Sequence, residues 1–297
     1  MVSETELVDK ITSRAKDIGV QVWLHAADLD SARQVGIDAA EPVVTASVFK
    51  VPVGLELARQ AADGAVDLAE RVTVAPGRST SGSYGLATFH QEVTMSWHDL
   101  AVLMIGVSDN IATDLILERV GKAAVAESLE RLELPQTAVP HDCAELLHTI
   151  EEDLGIDYRD DERILAALPA ERIRELRALT PEATCRTSAQ EATRLLGLIW
   201  RDEAAPAAAC ADVRRWMELQ VWPHRLRSGF GDEVRVSGKT GTLPTVRNEI
   251  GVVEYPDGGR YAVAVFTRAV DARSRVPARD AFIGFAAAQA VDWLRQR

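Results

Sequence analysis

The sequence predicts an α/β fold, an α+β sandwich in which an all-helical lobe is inserted into a discontinuous lobe carrying a five-stranded antiparallel sheet. Three observations lead there. Strand-like alternation is confined to the two ends of the chain, the long middle has helical period, and amphipathic helical segments open and close the sequence. Residues 1–40 and 225–297 are assigned to the α/β lobe. Residues 41–224 are assigned to the helical lobe, with an extended loop at about 141–185, and the active site is expected between the lobes.

Each element has its own warrant. Leu7, Ile11 and Ala15 recur at helical spacing and predict a helix over residues 4–17. Val20 to His25 alternates like a strand, and a second short strand is expected near Arg33–Ile37, after the turn-prone Asp28-Leu29-Asp30-Ser31. Ser96 can cap a helix containing Leu100, Leu103, Met104 and Val107. Ala112–Val120, Ala123–Leu132 and Ser188–Trp200 continue in helical register. The charged stretch 141–185 reads as a loop with helices around Asp160–Leu168 and Glu171–Leu179. Val234–Val236, Glu249–Tyr255 and Tyr261–Thr267 are strand-like, the last two flanking the hairpin turn Pro256-Asp257-Gly258-Gly259. A terminal helix starts at about Val276, with Phe282, Phe285, Ala286, Ala290 and Trp293 on its apolar side. The two terminal helices are expected on one face of the sheet.

Composition narrows the function. The chain has 297 residues, 47% hydrophobic and 26% charged, which suits one large domain or two lobes. A net charge of −12 argues against a nucleic-acid or anionic-membrane surface. Cys143, Cys185 and Cys210 form neither a disulfide framework nor a C-x-x-C pair and read as reduced thiols. No H-x-x-x-H pair is present, so neither metal nor cofactor is expected. The start Met1-Val2-Ser3-Glu4 has no signal-peptide character, and no apolar run approaches the roughly 20 residues needed to cross a bilayer. The chain as it stands therefore reads as cytoplasmic, although one trimmed of a leader would look the same.

Three short motifs carry the chemistry: Ser47-Val48-Phe49-Lys50, Ser108-Asp109-Asn110 and Lys239-Thr240-Gly241. Each alone is weak; their order and local contexts make the set specific. Ser47 lies where the extended Glu41–Val44 segment meets a helix, and Lys50 follows one turn later on the same face. A serine hydroxyl needs a base to take its proton, and Lys50 can be that base. Ser108 can relay a proton to a leaving nitrogen, Asn110 can bind a substrate amide, and Asp109 is expected to be a buried structural acceptor. Thr240 and Thr242 could bind a substrate carboxylate in the field of Lys239, with Gly241 allowing close approach. Backbone N–H groups of Ser47 and Thr242 would form an oxyanion hole.

With these motifs the chain resembles the serine β-lactamase and penicillin-binding superfamily, in its class A-like branch. The similarity runs from Val20 to the terminal helix and is densest over Asp99–Asp114, Ser237–Thr242 and Arg247–Val252. Arg247 either helps bind the carboxylate or is a solvated arginine. The resemblance implies a glutamate that activates the deacylating water, usually within E-x-x-L-N. Glu145 lies near the expected offset, in Cys143-Ala144-Glu145-Leu146-Leu147-His148-Thr149, but His148 and Thr149 replace the Leu-Asn ending. Glu151 and Glu152 are weaker candidates, and the segment that follows, to about Pro181, is longer than the family usually carries. The implied activity is a serine hydrolase acting on a β-lactam or related amide through a Ser47 ester. A peptidase, esterase or transacylase with the same chemistry is the alternative, and a binding module acylated without turnover is the third. The partner in each case is a small molecule, with no nucleic acid and no membrane.

Overall fold

The computed structural model of the chain describes residues 2–77, 80, 82, 84–156, 168–271, 273 and 276–296. Helix α1 (Glu4–Asp17) begins on a capping box in which Ser3 and Glu6 satisfy each other's backbone N–H groups. It leads into β1 (Val20–Asp28) and β2 (Gln34–Ile37). At the other end of the chain come β7 (Arg235–Leu243), β8 (Val246–Glu254) and β9 (Arg260–Ala269). These make one five-stranded sheet of order β2-β1-β9-β8-β7, antiparallel throughout. The β8–β9 turn closes on a Tyr255 N–H to Gly259 carbonyl bond, with Gly258 at φ +93°.

The sheet is buried on both faces, which explains why its strands are almost continuously apolar. On β9, Tyr261, Val263 and Val265 pack with Leu7 and Ile11 of α1 and with Phe282, Ile283 and Ala286 of the terminal helix (Pro277–Arg295). Ala262, Ala264 and Phe266 point the other way. There they meet Leu195, Leu196 and Ile199 of the helix Ala189–Trp200, whose N-terminus is capped by Ser188. Side chains of this kind each contribute about 1.5–3 kcal/mol when fully buried.

Between the two halves of the sheet the chain is mainly helical. Helix α2 is Lys50–Ala62, α3 Trp97–Gly106, α4 Asn110–Val120, α5 Lys122–Arg131 and α6 Cys143–Leu154. Two small antiparallel pairs accompany them: β3 (Pro42–Val44) with β6 (Arg186–Ser188), and β4 (Arg71–Val74) with β5 (Val93–Ser96). Both pairs are too short for alternation to reveal. The segment 141–185 departs from its sequence reading. Its main helix, α6, is at its start, and a short helix Ala170–Arg174 and a 3₁₀ turn Arg177–Leu179 replace the expected Glu171–Leu179 helix. The helix expected around Asp160–Leu168 lies almost wholly outside the described residues. The segment has a core of its own, in which Leu146, Leu147, Ile150, Ile173 and Leu176 meet Val44, Ala46, Leu243 and Val246. Among the described residues no helix is long and apolar enough to cross a membrane.

Candidate active site

Ser47 sits in a single 3₁₀ turn, Ala46–Phe49, that feeds directly into α2 at Lys50. Ala46 has φ +46°, a left-handed conformation that costs an alanine energy and is held here by its surroundings. The Thr45 N–H and hydroxyl both donate to the Cys185 carbonyl, at 3.0 and 2.9 Å. Asn248 Nδ2 donates to the carbonyls of Val44 and Thr45 at 2.9 and 3.2 Å. The turn is thus pinned from two sides while Ser47 remains half-buried and reachable.

Lys50 is fully buried. Its Nζ donates to the Ser108 carbonyl at 2.7 Å, to Asn110 Oδ1 at 2.8 Å and to Ser108 Oγ at 3.3 Å. The first two motifs therefore meet on one amine nitrogen. Ser108 itself is left-handed, φ +62°, between the end of α3 and the start of α4. Asp109 caps α4 through the Ala112 N–H at 2.9 Å and accepts from the Leu86 N–H at 2.6 Å. Those bonds explain why an acid can be buried here and support its reading as a structural acceptor.

The third motif lies inside β7 rather than beyond its end. Strand β7 is the sheet edge and crosses the Ser47 turn at Gly241, where an added Cβ would lie 2.5 Å from the Thr45 carbonyl oxygen. Only glycine allows that approach. Lys239 is buried and donates to the Thr240 carbonyl at 2.9 Å. Burial first, and then the nearby Lys50 charge, hold its pKa well below the usual lysine range. Thr240 is almost covered and Thr242 exposed.

Arg247 is 9% exposed, with its guanidinium donating to the Leu243 and Val246 carbonyls of the β7–β8 turn at 3.0 and 2.9 Å. A solvated arginine is therefore ruled out. Three residues not singled out in the sequence support the strand. Arg225 donates to the carbonyls of Gly241 and Asn248, each at 3.0 Å, to Thr242 Oγ1 at 2.9 Å, and to Asp280 of the terminal helix at 2.7 Å. Gln220 accepts from the Thr240 N–H at 2.7 Å and donates to Glu249, whose other oxygen accepts from the Leu226 N–H. Burial raises the Glu249 pKa to about 7.

Glu145 is not brought to this group. It is the third residue of α6, where its carboxylate accepts from the Asp142 N–H in a capping box and pairs with Lys122. Partial burial opposes ionisation, but those donors still lower its pKa. The inward stripe of α6 is Cys143, Leu146, Leu147 and Ile150, and Glu145 falls on the other face with a half-exposed side chain. Glu152 pairs with Arg177, and Glu151 lies near His148. The residue α6 does present inward at its first turn is Cys143. Its N–H donates to Asp114 Oδ1 at 2.7 Å, while Ala144 N–H and Thr80 Oγ1 donate to Oδ2 at 3.1 and 2.7 Å. Asp114 lies one turn beyond Asn110 on α4, so the start of α6 stands one helical turn from the group holding Lys50. Among the described residues no cluster of His, Cys, Asp or Glu could hold a metal ion.

Chemically, the arrangement offers a reachable hydroxyl one turn before a buried amine, a second hydroxyl on that amine, and a glycine-bearing edge strand beside them. The sequence matches the Beta-lactamase enzyme family over residues 6–294. The beta-lactamase regulatory protein BlaB of Streptomyces cacaoi is 28% identical over the whole of both chains. The extended-spectrum beta-lactamase PER-1 of Pseudomonas aeruginosa is 24% identical, covering 87% of this chain and 77% of that one. Among solved structures, a beta-lactamase from Sphaerobacter thermophilus superposes with TM-score 0.77 at 20% identity, covering 99% and 100% of the two chains. A PBP-A variant in an acyl-enzyme complex with penicillin G superposes with TM-score 0.77 at 20% identity, covering 98% and 96%. Those two are likenesses of fold. With a match over nearly its whole length, the chain belongs to the beta-lactamase enzyme family.

Proposed function

We propose that this protein opens a β-lactam, or a related amide, by transferring its acyl group to Ser47. The observation that carries the reading is the convergence on Lys50 Nζ of the Ser108 carbonyl, Ser108 Oγ and Asn110 Oδ1, one turn after Ser47. Ser47 Oγ attacks the carbonyl and loses its proton through Lys50. The amide C–N bond breaks, and Ser108 delivers a proton to the departing nitrogen. Asn110 and β7 at Thr240, Gly241 and Thr242, of which Thr242 is the exposed one, receive the substrate, with Lys239 and Arg247 supplying positive charge for its carboxylate. The family and the PBP-A complex with penicillin G support this choice of substrate class.

The test is intact-mass and peptide mapping after incubation with penicillin G. An adduct on the Ser47 peptide, absent from Ser47→Ala and formed at least about 10²-fold more slowly by Lys50→Ala, is the expected result. An adduct elsewhere, or normal acylation of Lys50→Ala, would refute the assignment. The second reading, a peptidase, esterase or transacylase, is favoured by the position of Glu145, which leaves water without its expected activator. A chromogenic cephalosporin and an activated ester offered in parallel separate the two by which one acylates Ser47.

A further inference from the structure

The edge strand β7 has one side turned away from β8, and the backbone groups on that side need partners from elsewhere. At Thr240 the N–H leaves the sheet and donates to Gln220 Oε1 at 2.7 Å. Thr242, two residues on, shares that orientation. Gln220 follows the helix Ala207–Glu218, and the next residue ties it to the end of α3, where the Val221 N–H donates to the Gly106 carbonyl at 3.1 Å. A backbone N–H can only donate, so the Gln220 amide has one orientation, oxygen toward Thr240 and nitrogen toward Glu249. Nε2 donates to Glu249 Oε1, and Oε2 accepts from the Leu226 N–H at 2.7 Å. The pair lies against Gly238, where an added Cβ would stand 2.8 Å from Glu249 Oε1 and 3.1 Å from Gln220 Nε2. Both oxygens of Glu249 therefore face donors, the surroundings of a carboxylate. A proton on Glu249 removes that charge, and bonds to an ionised acceptor are about twice as strong as those to a neutral one. Glu249 is fully buried, and the charged groups around it are Lys239 on β7 and Arg225, which pairs with Asp280 of the terminal helix. Burial outweighs those cations and raises its pKa to about 7, so the proton comes and goes in the neutral range.

We propose that Gln220 is a positioning residue for acylation: it carries the protonation state of Glu249 to the Thr240 N–H, so that the outer edge of β7 is held for substrate while Glu249 is ionised and loosens when Glu249 takes up a proton. The inference rests on the acylation reading above. Thr240 lies between Lys239, whose Nζ donates to the Thr240 carbonyl at 2.9 Å, and Gly241, which crosses the Ser47 turn. The peptide groups of Thr240 are thus fixed from both ends, by Gln220 at the N–H and by Lys239 at the carbonyl. Weakening the first bond lets the peptide tilt, and the residues that receive the substrate tilt with it. Acylation of Ser47 therefore slows as pH falls through the Glu249 titration.

The experiment uses the full chain in two measurements. In the first, the Thr240 amide resonance is followed by nitrogen-15 NMR in the unacylated protein from about pH 5.5 to about pH 8.5, a range that spans the Glu249 titration. The expected result is a shift with its midpoint at about 7 in wild type. It should be lost in Gln220→Met, which keeps the length of the side chain without its amide, and in Glu249→Gln, which has no proton to lose. In the second, the rate of adduct formation with penicillin G is measured by intact mass over the same range. The wild-type rate should fall roughly 3–10-fold toward low pH with the same midpoint, the scale of one hydrogen bond. Both variants should stay near the low-pH rate of wild type without that inflection, and combining them should add nothing further. Thermal denaturation reports whether each variant is folded, and either one alone decides the question. An inflection retained in folded Gln220→Met would show that Glu249 acts through its field on Lys239, and would overturn the role of Gln220. A wild-type Thr240 amide that does not respond to pH would overturn the proposal outright. No adduct in wild type at any pH would instead overturn the acylation reading, while the Thr240 resonance would still decide whether Gln220 carries the proton state of Glu249.

Discussion

Cys143 and Glu145 are two residues apart on α6, and that spacing puts their side chains on opposite faces. Two helical steps turn a side chain by about 200°, so when Cys143 faces Asp114 and Lys50, Glu145 must face away. Glu145→Gln should therefore leave both formation and decay of the Ser47 ester unchanged. It should lower stability by no more than about 1 kcal/mol, the scale of a helix cap and an exposed ion pair. Ester accumulation in Glu145→Gln but not in wild type would restore Glu145 as the hydrolytic base. The orientation was legible in the sequence, since Cys143, Leu146, Leu147 and Ile150 follow helical spacing and leave Glu145 outside the stripe. An offset counted along the chain cannot see that face. Ser47, Lys50, Ser108 and Asn110 stood out because their chemistry is local and their spacing short. Arg225, Gln220 and Asp114 did not, because each acts on partners 16 or more residues away in the chain.

The edge strand β7 shows how an element carries the site. Its inner side pairs with β8, its middle crosses the Ser47 turn at Gly241, and its outer N–H at Thr240 is closed by Gln220. The long strands of the sheet were legible because they are apolar and bounded by turns. The pairs β3–β6 and β4–β5 were not, being only three or four residues long. Placing the Lys239-Thr240-Gly241 motif after a strand instead of within it has the same origin, since two glycines and a lysine break the alternation. Gly241→Ala tests the crossing. Its Cβ would meet the Thr45 oxygen at 2.5 Å and the Ala46 Cβ at 3.2 Å, so either the turn or the strand must shift. The expected outcome is a loss of about 1–3 kcal/mol, the scale of overpacking, together with slower acylation of Ser47. Chemical denaturation and the adduct time course read the two effects. Unchanged acylation in the folded variant would show that the crossing does not position the nucleophile.

Taken whole, the molecule carries a net charge of −12, yet it gathers Lys50, Lys239 and Arg225 into one buried region. Glu249 is the buried acid among them, and its titration reaches the stability of the entire fold. Burial dominates its behaviour, raising its pKa from 4.5 to about 7 against the pull of the Leu226 N–H, Arg225, Gln220 and Lys239. The folded chain therefore keeps a proton on Glu249 between about 4.5 and about 7 that the unfolded chain has already released. In that window folding is linked to proton uptake. The contribution of neutral Glu249 is fully present below the unfolded value and is lost as pH rises through the folded one. A tenfold change in proton affinity corresponds to about 1.4 kcal/mol, so the loss is at most roughly 3–4 kcal/mol. Glu249→Gln keeps the shape and has no proton to lose. Wild type and variant should therefore run parallel below about pH 4.5, and wild type should lose stability relative to the variant as pH rises toward about 8. Lys239, depressed by its own burial, pulls in the opposite direction, but it is present in both proteins and largely drops out of the difference. Thermal or denaturant unfolding of both proteins across about pH 4–8 measures that difference. A difference that stays constant over the range would mean that Glu249 folds already ionised, stabilised by Lys239 and Arg225 more strongly than burial opposes it.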